Sequence, residues 1–311
     1  MEEKNGRKDL LPEGTLLDQR YRIFRCIGIG GFGITYLCED MDKQRKVAVK
    51  EYFPRQWARR EDTYVMIRKS SMIQAFRFGM QSFLDEAEMM AEFAGTPHIV
   101  AYYDLFYEND TVYLVMEYLD GMSAGRMLRE RGYQPYTPEE MTHLLLPVLE
   151  GLQQMHRKNV IHRDISPGNI MCKQDGEICL IDLGAARCYT EKKPFLNATL
   201  LKPEYAAPEQ FRTAKRGFSK EEGPWTDIYS VGAVMFYLLT GCRPPDVLSR
   251  AGGKVLEKPD GLSEKWMEII RHCMALQIEE RIQDVTVLKE QMKKLLENEM
   301  QEEKNDLHRD L

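Results

Sequence analysis

At 311 residues, with 43% hydrophobic and 30% charged side chains and only 22 Gly and 14 Pro, the chain has room for two compact units or one large bilobal one, and it is not collagen-like, low-complexity or wholly disordered. Acidic residues outnumber basic ones, 49 to 43, so no overall positive field exists to hold a nucleic-acid backbone or an anionic membrane surface. The seven cysteines (Cys26, Cys38, Cys172, Cys179, Cys188, Cys242 and Cys273) are odd in number and scattered without a CxxC pair, the pattern of reduced thiols in a cytoplasmic protein rather than of a disulfide framework.

The opening residues MEEKNGRKDLLPEG are polar and lack the apolar core of a secretory signal, and residues 1–15 read as an extension. Strands follow. Tyr21–Ile27 and Ile34–Glu39 carry β-branched and aromatic residues on either side of a glycine cluster, and KVAVK at Lys46–Lys50 alternates, which predicts three short antiparallel strands. From Gln81 to Phe93 the spacing of Phe83, Ala87, Met90 and Ala91 is helical, and Val100–Tyr107 and Thr111–Glu117 predict a further strand pair. After Gly121 the pattern turns to helix. Thr137-Pro138-Glu139-Glu140 is a capping box with proline at the first helical position, and Pro147 inside the following apolar series predicts a bend or a lost hydrogen bond. Further helices are expected at Asp227–Leu239, Glu264–Met274 and Thr286–Asn298. The charged tail, residues 298–311, is expected to fray. The longest apolar stretch, Val231–Leu239, falls short of the roughly 20 residues a bilayer span needs, so no membrane insertion is expected.

Gly28-Ile29-Gly30-Gly31-Phe32-Gly33 reads GxGxxG, a weak signal alone. A dinucleotide site needs a helix directly after the glycines, whereas here a second strand, ITYLCED, follows; a glycine hairpin can instead lie over a triphosphate, its N–H groups unshielded by a Cβ, and taken alone it equally fits an ordinary flexible turn. Ala48-Val49-Lys50 comes one strand later. His162-Arg163-Asp164-Ile165-Ser166-Pro167-Gly168-Asn169, then Asp182-Leu183-Gly184, then Ala207-Pro208-Glu209 complete an ordered series. The sequence thereby resembles the protein kinase family, over about residues 16–297, and the wording of KEYFPRQWARR and HRDISPGN resembles its bacterial serine/threonine branch.

The resemblance implies an α+β bilobal fold: a small antiparallel β-sheet lobe with one main helix at residues 16–118, then a larger, mostly helical lobe at residues 119–297. It implies ATP and Mg²⁺ as cofactors and a protein substrate with a serine or threonine acceptor, the chain itself included. Lys50 would meet the α- and β-phosphates, paired with Glu86 on the first helix. Glu88 is second choice because it points about 200° away. Asp164 takes the place of the catalytic base, Asn169 and Asp182 those of the metal ligands, and Gly28, Gly30, Gly31 and Gly33 that of the phosphate loop. Backbone groups of Glu117 and Leu119 would meet the adenine edge, with Thr35, Ala48 and Met171 against its faces and Met116 behind it. Ser123 stands where relatives place a ribose-binding acid, and equally fits a helix N-cap. His162 has a structural place in the family, Asp227 braces the catalytic loop and Arg281 pairs with Glu209. Arg163 invites an anion from the segment between Asp182 and Glu209, where Tyr189, Thr190 and Thr199 are the possible phosphoacceptors.

Four departures stand out. Leu183 replaces the phenylalanine of the DFG triplet, and Thr35 the usual valine. The run from Lys50 to Glu86 is longer than the family spends, so an insertion lies at about residues 51–80, whose aromatic and basic residues either brace the helix bearing Glu86 or bind a partner. Finally, the family's lysine two residues after the catalytic aspartate is Ser166, and its activation-segment threonine is Lys202; a hydroxyl and an ammonium have changed places. An active protein kinase, a nucleotide-binding pseudokinase and a small-molecule kinase of the same fold are the competing readings. The intact set Lys50, Glu86, Asp164, Asn169 and Asp182 weighs against the second, and Glu209, Asp227 and Arg281 weigh against the third. The oligomeric state is not encoded in any motif.

Overall fold

The computed structural model describes residues 9–190, 201–216 and 221–309. The chain is bilobal: among these residues one compact unit runs to Gly95 and resumes over Val100–Asp120, and the other takes in Thr96–Ile99 and everything from Gly121 onward.

In the first unit the alternating segments become strands β1 (Leu16–Leu17), β2 (Tyr21–Ile29), β3 (Gly33–Asp40) and β4 (Arg45–Tyr52). The inserted stretch forms its own hairpin, β5 (Ala58–Glu61) and β6 (Tyr64–Ile67), before helix α1 (Ile73–Glu92), and the sheet is completed by β7 (Tyr102–Glu108) and β8 (Thr111–Glu117). The six-stranded sheet is antiparallel in the order β1-β2-β3-β4-β8-β7. KVAVK lies in a central strand, which is why Val47, Ala48 and Val49 are all buried while Lys50 keeps partial exposure.

Helix α1 starts at Ile73, two turns before the periodic segment that begins at Gln81. The early turns carry a single buried apolar side chain, Phe76, too little for a sequence pattern. Contact with the insertion start holds them: the Tyr52 hydroxyl donates to the Phe76 carbonyl at 2.8 Å, and the Tyr52 ring packs on Phe76 and Phe83 with centroids at 5.1 and 5.8 Å. Gly79 is the residue that permits this approach, since a Cβ there would meet the Tyr52 oxygen at 2.4 Å.

The insertion is anchored by a buried ion pair. Arg60 reaches Glu51 at 2.5 Å, with side chains 2% and 0% exposed, and Glu51 also accepts from the hydroxyls of Tyr36 and Tyr113 at 3.2 and 2.8 Å. Burial pushes the Glu51 carboxyl up, against the pull of Arg60. These contacts tie the inserted hairpin to strands β3, β4 and β8 of the sheet. Removing one partner strands the other charge in the core, so Arg60→Met is expected to cost about 3–5 kcal/mol in a denaturant titration. Arg60→Met combined with Glu51→Gln should recover much of that loss, and additive costs in the double variant would show that the two side chains do not act as a pair.

The second unit comprises β9 (Gly121–Ser123), α2 (Ala124–Glu130), α3 (Pro138–Arg157), β10 (Val160–Ile161), β11 (Ile170–Lys173), β12 (Ile178–Leu180), β13 (Arg187–Cys188), α4 (Pro208–Arg216), α5 (Pro224–Thr240), α6 (Val247–Ala251), α7 (Glu264–Cys273) and α8 (Val285–Arg309). The capping box closes as expected: Thr137 Oγ1 accepts from the Glu140 N–H at 3.1 Å, and Glu140 returns a carboxylate to the Thr137 N–H at 2.8 Å. Pro147 lies inside α3, which continues to Arg157. Helix α5 is buried on every side from Thr226 to Leu239, the mark of a core helix, and α3, α7 and α8 pack around it.

The expected fraying of the tail is corrected. Helix α8 runs on to Arg309, and the first part of its charged extension finds partners at α7 and its N-cap: Glu299 accepts from Ser263 Oγ and Trp266 Nε1, both at 2.7 Å, and Glu302 meets Lys265 at 3.2 Å. None of the helices among the described residues is long and apolar enough to cross a membrane.

Candidate active site

The loop His162–Asn169 connects β10 to β11 and is held from behind by α5. Asp227, wholly buried in the first turn of that helix, accepts the backbone N–H groups of His162 and Arg163 at 2.9 and 2.8 Å and is joined to His156 Nε2 at 2.8 Å. Burial alone would raise its carboxyl; the hydrogen bonds with His156 and from the Arg163 N–H outweigh it and hold the group below the ordinary aspartate range. Arg163 can therefore keep a φ of +67°, uncommon for a non-glycine residue. His162 is buried with Nδ1 accepting the Asp164 N–H at 3.3 Å, a packed position rather than a reactive one.

Asp164 emerges at the loop's exposed side. Its Oδ2 accepts from Asn169 Nδ2 at 2.8 Å and from Lys202 Nζ at 2.8 Å, and the same ammonium donates to Ser166 Oγ at 2.9 Å. Asn169 Nδ2 also reaches the Asp164 carbonyl at 2.8 Å, and its backbone N–H closes on the Ser166 carbonyl at 2.9 Å. The exchanged hydroxyl and ammonium thus lie in direct contact beside one carboxylate. On the far side of the β11–β12 ladder, Ile181 donates to the Asn169 carbonyl at 3.0 Å, which carries Asp182 to the end of the ladder beside the loop; Asp182 adopts φ +66°, and Leu183 is buried where the family has phenylalanine.

These residues fit a magnesium ion. Asn169 spends its amide nitrogen on Asp164, so its carbonyl oxygen is the end left for a hard cation, with the Asp182 carboxylate as the second donor. Among the described residues no group of three or more His, Cys, Asp or Glu is gathered to hold an ion.

In the first unit, Lys50 Nζ lies 2.6 and 2.9 Å from the two oxygens of Glu86, which is buried, whereas Glu88 is exposed. Strand register puts Thr35 opposite Lys50 and Ala48 opposite Met116, so these four share one face of the sheet; Glu117 pairs with Val47, and Leu119 follows, buried. In the second unit Met171 pairs with Ser123, whose Oγ caps α2 by accepting from the Arg126 N–H at 3.3 Å, the plainer of its two expected uses.

The glycines divide by cause. A Cβ at Gly33 would lie 2.7 Å from the Glu51 carbonyl, so the sheet itself demands glycine there. At Gly31 nothing stands within 4 Å, and at Gly28 and Gly30 the neighbours are at ordinary distances of 3.7 and 3.6 Å. The fold has no need of glycine at these three; bare backbone there suits the approach of a phosphate. At the hairpin tip the Phe32 ring meets Trp57 of the insertion edge-on at 5.7 Å, and the Phe32 carbonyl accepts from Phe53 at 2.9 Å.

Among the described residues Arg163 already meets an anion outside the segment between Asp182 and Glu209: Glu222, next to α5, whose Oε2 lies 2.7 Å from Nε and whose Oε1 lies 3.3 Å from Nη2, with Arg187 Nη2 at 3.2 Å from Oε2. Two acidic residues before GPWTD were the only trace of this in the sequence, indistinguishable there from a solvated pair. Of the possible phosphoacceptors, Tyr189 donates to Asn159 Oδ1 at 3.3 Å, Thr190 Oγ1 lies 3.1 Å from Cys188 Sγ, and Thr199 falls outside the described residues. Glu209 and Arg281 form the expected pair, at 2.7 and 2.9 Å with both side chains wholly buried.

A bilobal α+β chain with this loop, this lysine–glutamate pair and this buried Glu209–Arg281 bridge has the organisation of a protein kinase. Residues 21–306 match the family model described as the protein kinase domain, and the chain belongs to that family. It is 32% identical over 234 residues to the serine/threonine-protein kinase PrkC of Bacillus subtilis, covering 75% of this chain and 32% of that one. It is also 32% identical over 240 residues to the serine/threonine-protein kinase PknL of Mycobacterium tuberculosis, covering 77% and 53%. The chain thus spans from about a third to about a half of these curated relatives. Among solved structures it is similar to the PpkA-294 apo form, with a TM-score of 0.77 at 28% identity over 91% of this chain and 99% of that one.

Proposed function

We propose that this chain is an ATP- and Mg²⁺-dependent kinase that transfers the γ-phosphoryl group to serine or threonine hydroxyls of proteins, its own included. The observation that carries the reading is the Asp164 carboxylate: Asn169 and Lys202 both donate to its Oδ2 at 2.8 Å, in a loop whose backbone is fixed by Asp227. Phosphoryl transfer asks for positioning and charge neutralisation more than for covalent work. Both donors on Oδ2 turn Oδ1 toward an incoming hydroxyl, so Asp164 orients the acceptor and takes its proton. Lys202 adds positive charge beside the transferred group and Lys50 steadies the α- and β-phosphates, its own geometry set by Glu86. Asn169 and Asp182 would hold the magnesium ion, which neutralises phosphate charge when bound. The bare backbone at Gly28, Gly30 and Gly31 suits the phosphates, and Thr35, Ala48, Met116, Glu117, Leu119, Ser123 and Met171 are the candidates for the nucleoside. The names of the bacterial relatives support serine and threonine as acceptors.

The test is incubation with γ-labelled ATP, Mg²⁺ and a generic basic protein acceptor, followed by phosphosite mapping. Label on serine or threonine is expected, abolished by chelation and reduced in Lys50→Ala by the equivalent of about 3–4 kcal/mol of transition-state stabilisation. ATP binding without any transfer would make the chain a pseudokinase, and transfer confined to small molecules would move it to another class of phosphotransferase.

A further inference from the structure

Two guanidiniums converge on Glu222, and the way they do so bears on how the site is switched on. Arg163 grips the carboxylate with Nε and Nη2, the two-pronged arrangement that suits carboxylate or phosphate, and Arg187 adds a third contact. The side chains of Arg163 and Glu222 are 2% and 0% exposed and that of Arg187 15%, so the anion is already enclosed. Three stretches of chain are tied together there. Arg163 belongs to the catalytic loop, Arg187 to β13, which pairs with β10 in the register Ile161 with Arg187, and Glu222 to the lead into α5. The remaining prong of Arg163, Nη1, donates to the Ala185 carbonyl at 3.2 Å, and the Arg163 carbonyl accepts from Gln210 Nε2 at 2.8 Å.

We propose that Glu222 is a positioning residue, a resident anion that locks Arg163 and hence the neighbouring Asp164, so that transfer does not depend on phosphorylation of the segment from Asp182 to Glu209. The inference rests on the kinase reading above. A phosphate arriving at Arg163 would have to expel a carboxylate that has no exposed surface and that would be left unpaired among the groups it now serves. Tyr189 and Thr190 make other contacts, to Asn159 and Cys188, and neither has Arg163 as its partner. Two buried cations with no anion between them would repel each other and release both the loop and β13. Glu222 therefore sets the position of Asp164 without touching substrate.

The experiment uses the full chain, treated with a phosphatase until mass spectrometry finds no phosphate on Tyr189, Thr190 or Thr199. Transfer to a generic acceptor is expected to start without a lag, at the rate seen after preincubation with ATP, and the triple variant Tyr189→Phe, Thr190→Ala, Thr199→Ala should keep that rate. Glu222→Gln is expected to lower kcat about a hundredfold, the scale of a small misplacement of a reacting group, with KM for ATP little changed, and Glu222→Asp to restore part of it. A lag abolished by preincubation, an inactive triple variant, or Glu222→Gln turning over like the parent would overturn the inference. Should Glu222→Gln fail to fold, the lag and the triple variant still decide. No transfer by the parent in any phosphorylation state would instead bring down the kinase reading.

Discussion

Asp164→Asn is expected to lower turnover about 10²- to 10⁴-fold, the range for loss of a positioned base, while ATP affinity stays close to that of the parent. The two side chains differ by an oxygen for a nitrogen, and the surroundings determine which oxygen is lost. Asn169 and the Lys202 ammonium both donate to Oδ2, so an amide at this position settles with its carbonyl oxygen toward them and its NH₂ where Oδ1 stands now. The loop keeps its hydrogen bonds, including those of its backbone to Asp227, and the fold is retained. What disappears is the lone pair that would receive the hydroxyl proton. Comparing kcat in steady state with the dissociation constant for ATP separates the two effects, and an unchanged kcat would remove Asp164 from the chemistry.

The parts of this molecule that were legible in its sequence are those where residue type and spacing answer to a local rule. KVAVK reads as a strand, Thr137 to Glu140 as the opening of a helix, and the paired contacts of Lys50 with Glu86 and of Glu209 with Arg281 follow once the motifs are placed in order. What stayed hidden depends on partners distant in sequence. The first turns of α1 are held by Tyr52 rather than by an apolar stripe, and Glu299 and Glu302 in the extension of α8 have partners at α7 and its N-cap, where composition alone reads as a solvated tail. The insertion shows in the sequence only as surplus length rich in aromatic and basic residues, and the buried pairing of Arg60 with Glu51 depends on the fold. Glu222 is the same case: a glutamate beside another glutamate signals solvent, and only the fold reveals that one of them is enclosed by two guanidiniums.

Lys202→Thr restores the residue type the family uses at that position, yet it is expected to cut kcat by the equivalent of about 3–4 kcal/mol, the scale for removing one preorganised charge from a transition state. In this chain the ammonium at 2.8 Å from Asp164 Oδ2 and 2.9 Å from Ser166 Oγ comes from the activation segment, and Ser166 supplies a hydroxyl where relatives supply the ammonium. Substituting Lys202 alone leaves two hydroxyls facing the carboxylate and no positive charge. Adding Ser166→Lys returns the charge from the other side, so Lys202→Thr with Ser166→Lys should recover most of the loss. Ser166→Lys alone should also be impaired, because it sets two ammonium groups against each other at one carboxylate, with the exposed Lys202 side chain, 41% accessible, yielding toward solvent. The coupling between the two positions should then lie within the roughly 0.5–3 kcal/mol seen for residues in contact, opposite in sign to the single losses. Measuring kcat for the four members of the cycle tests this directly. A single Lys202→Thr variant with the parent's turnover, or a double variant no better than either single one, would mean that the contact between Lys202 and Ser166 is a resting arrangement without a part in transfer.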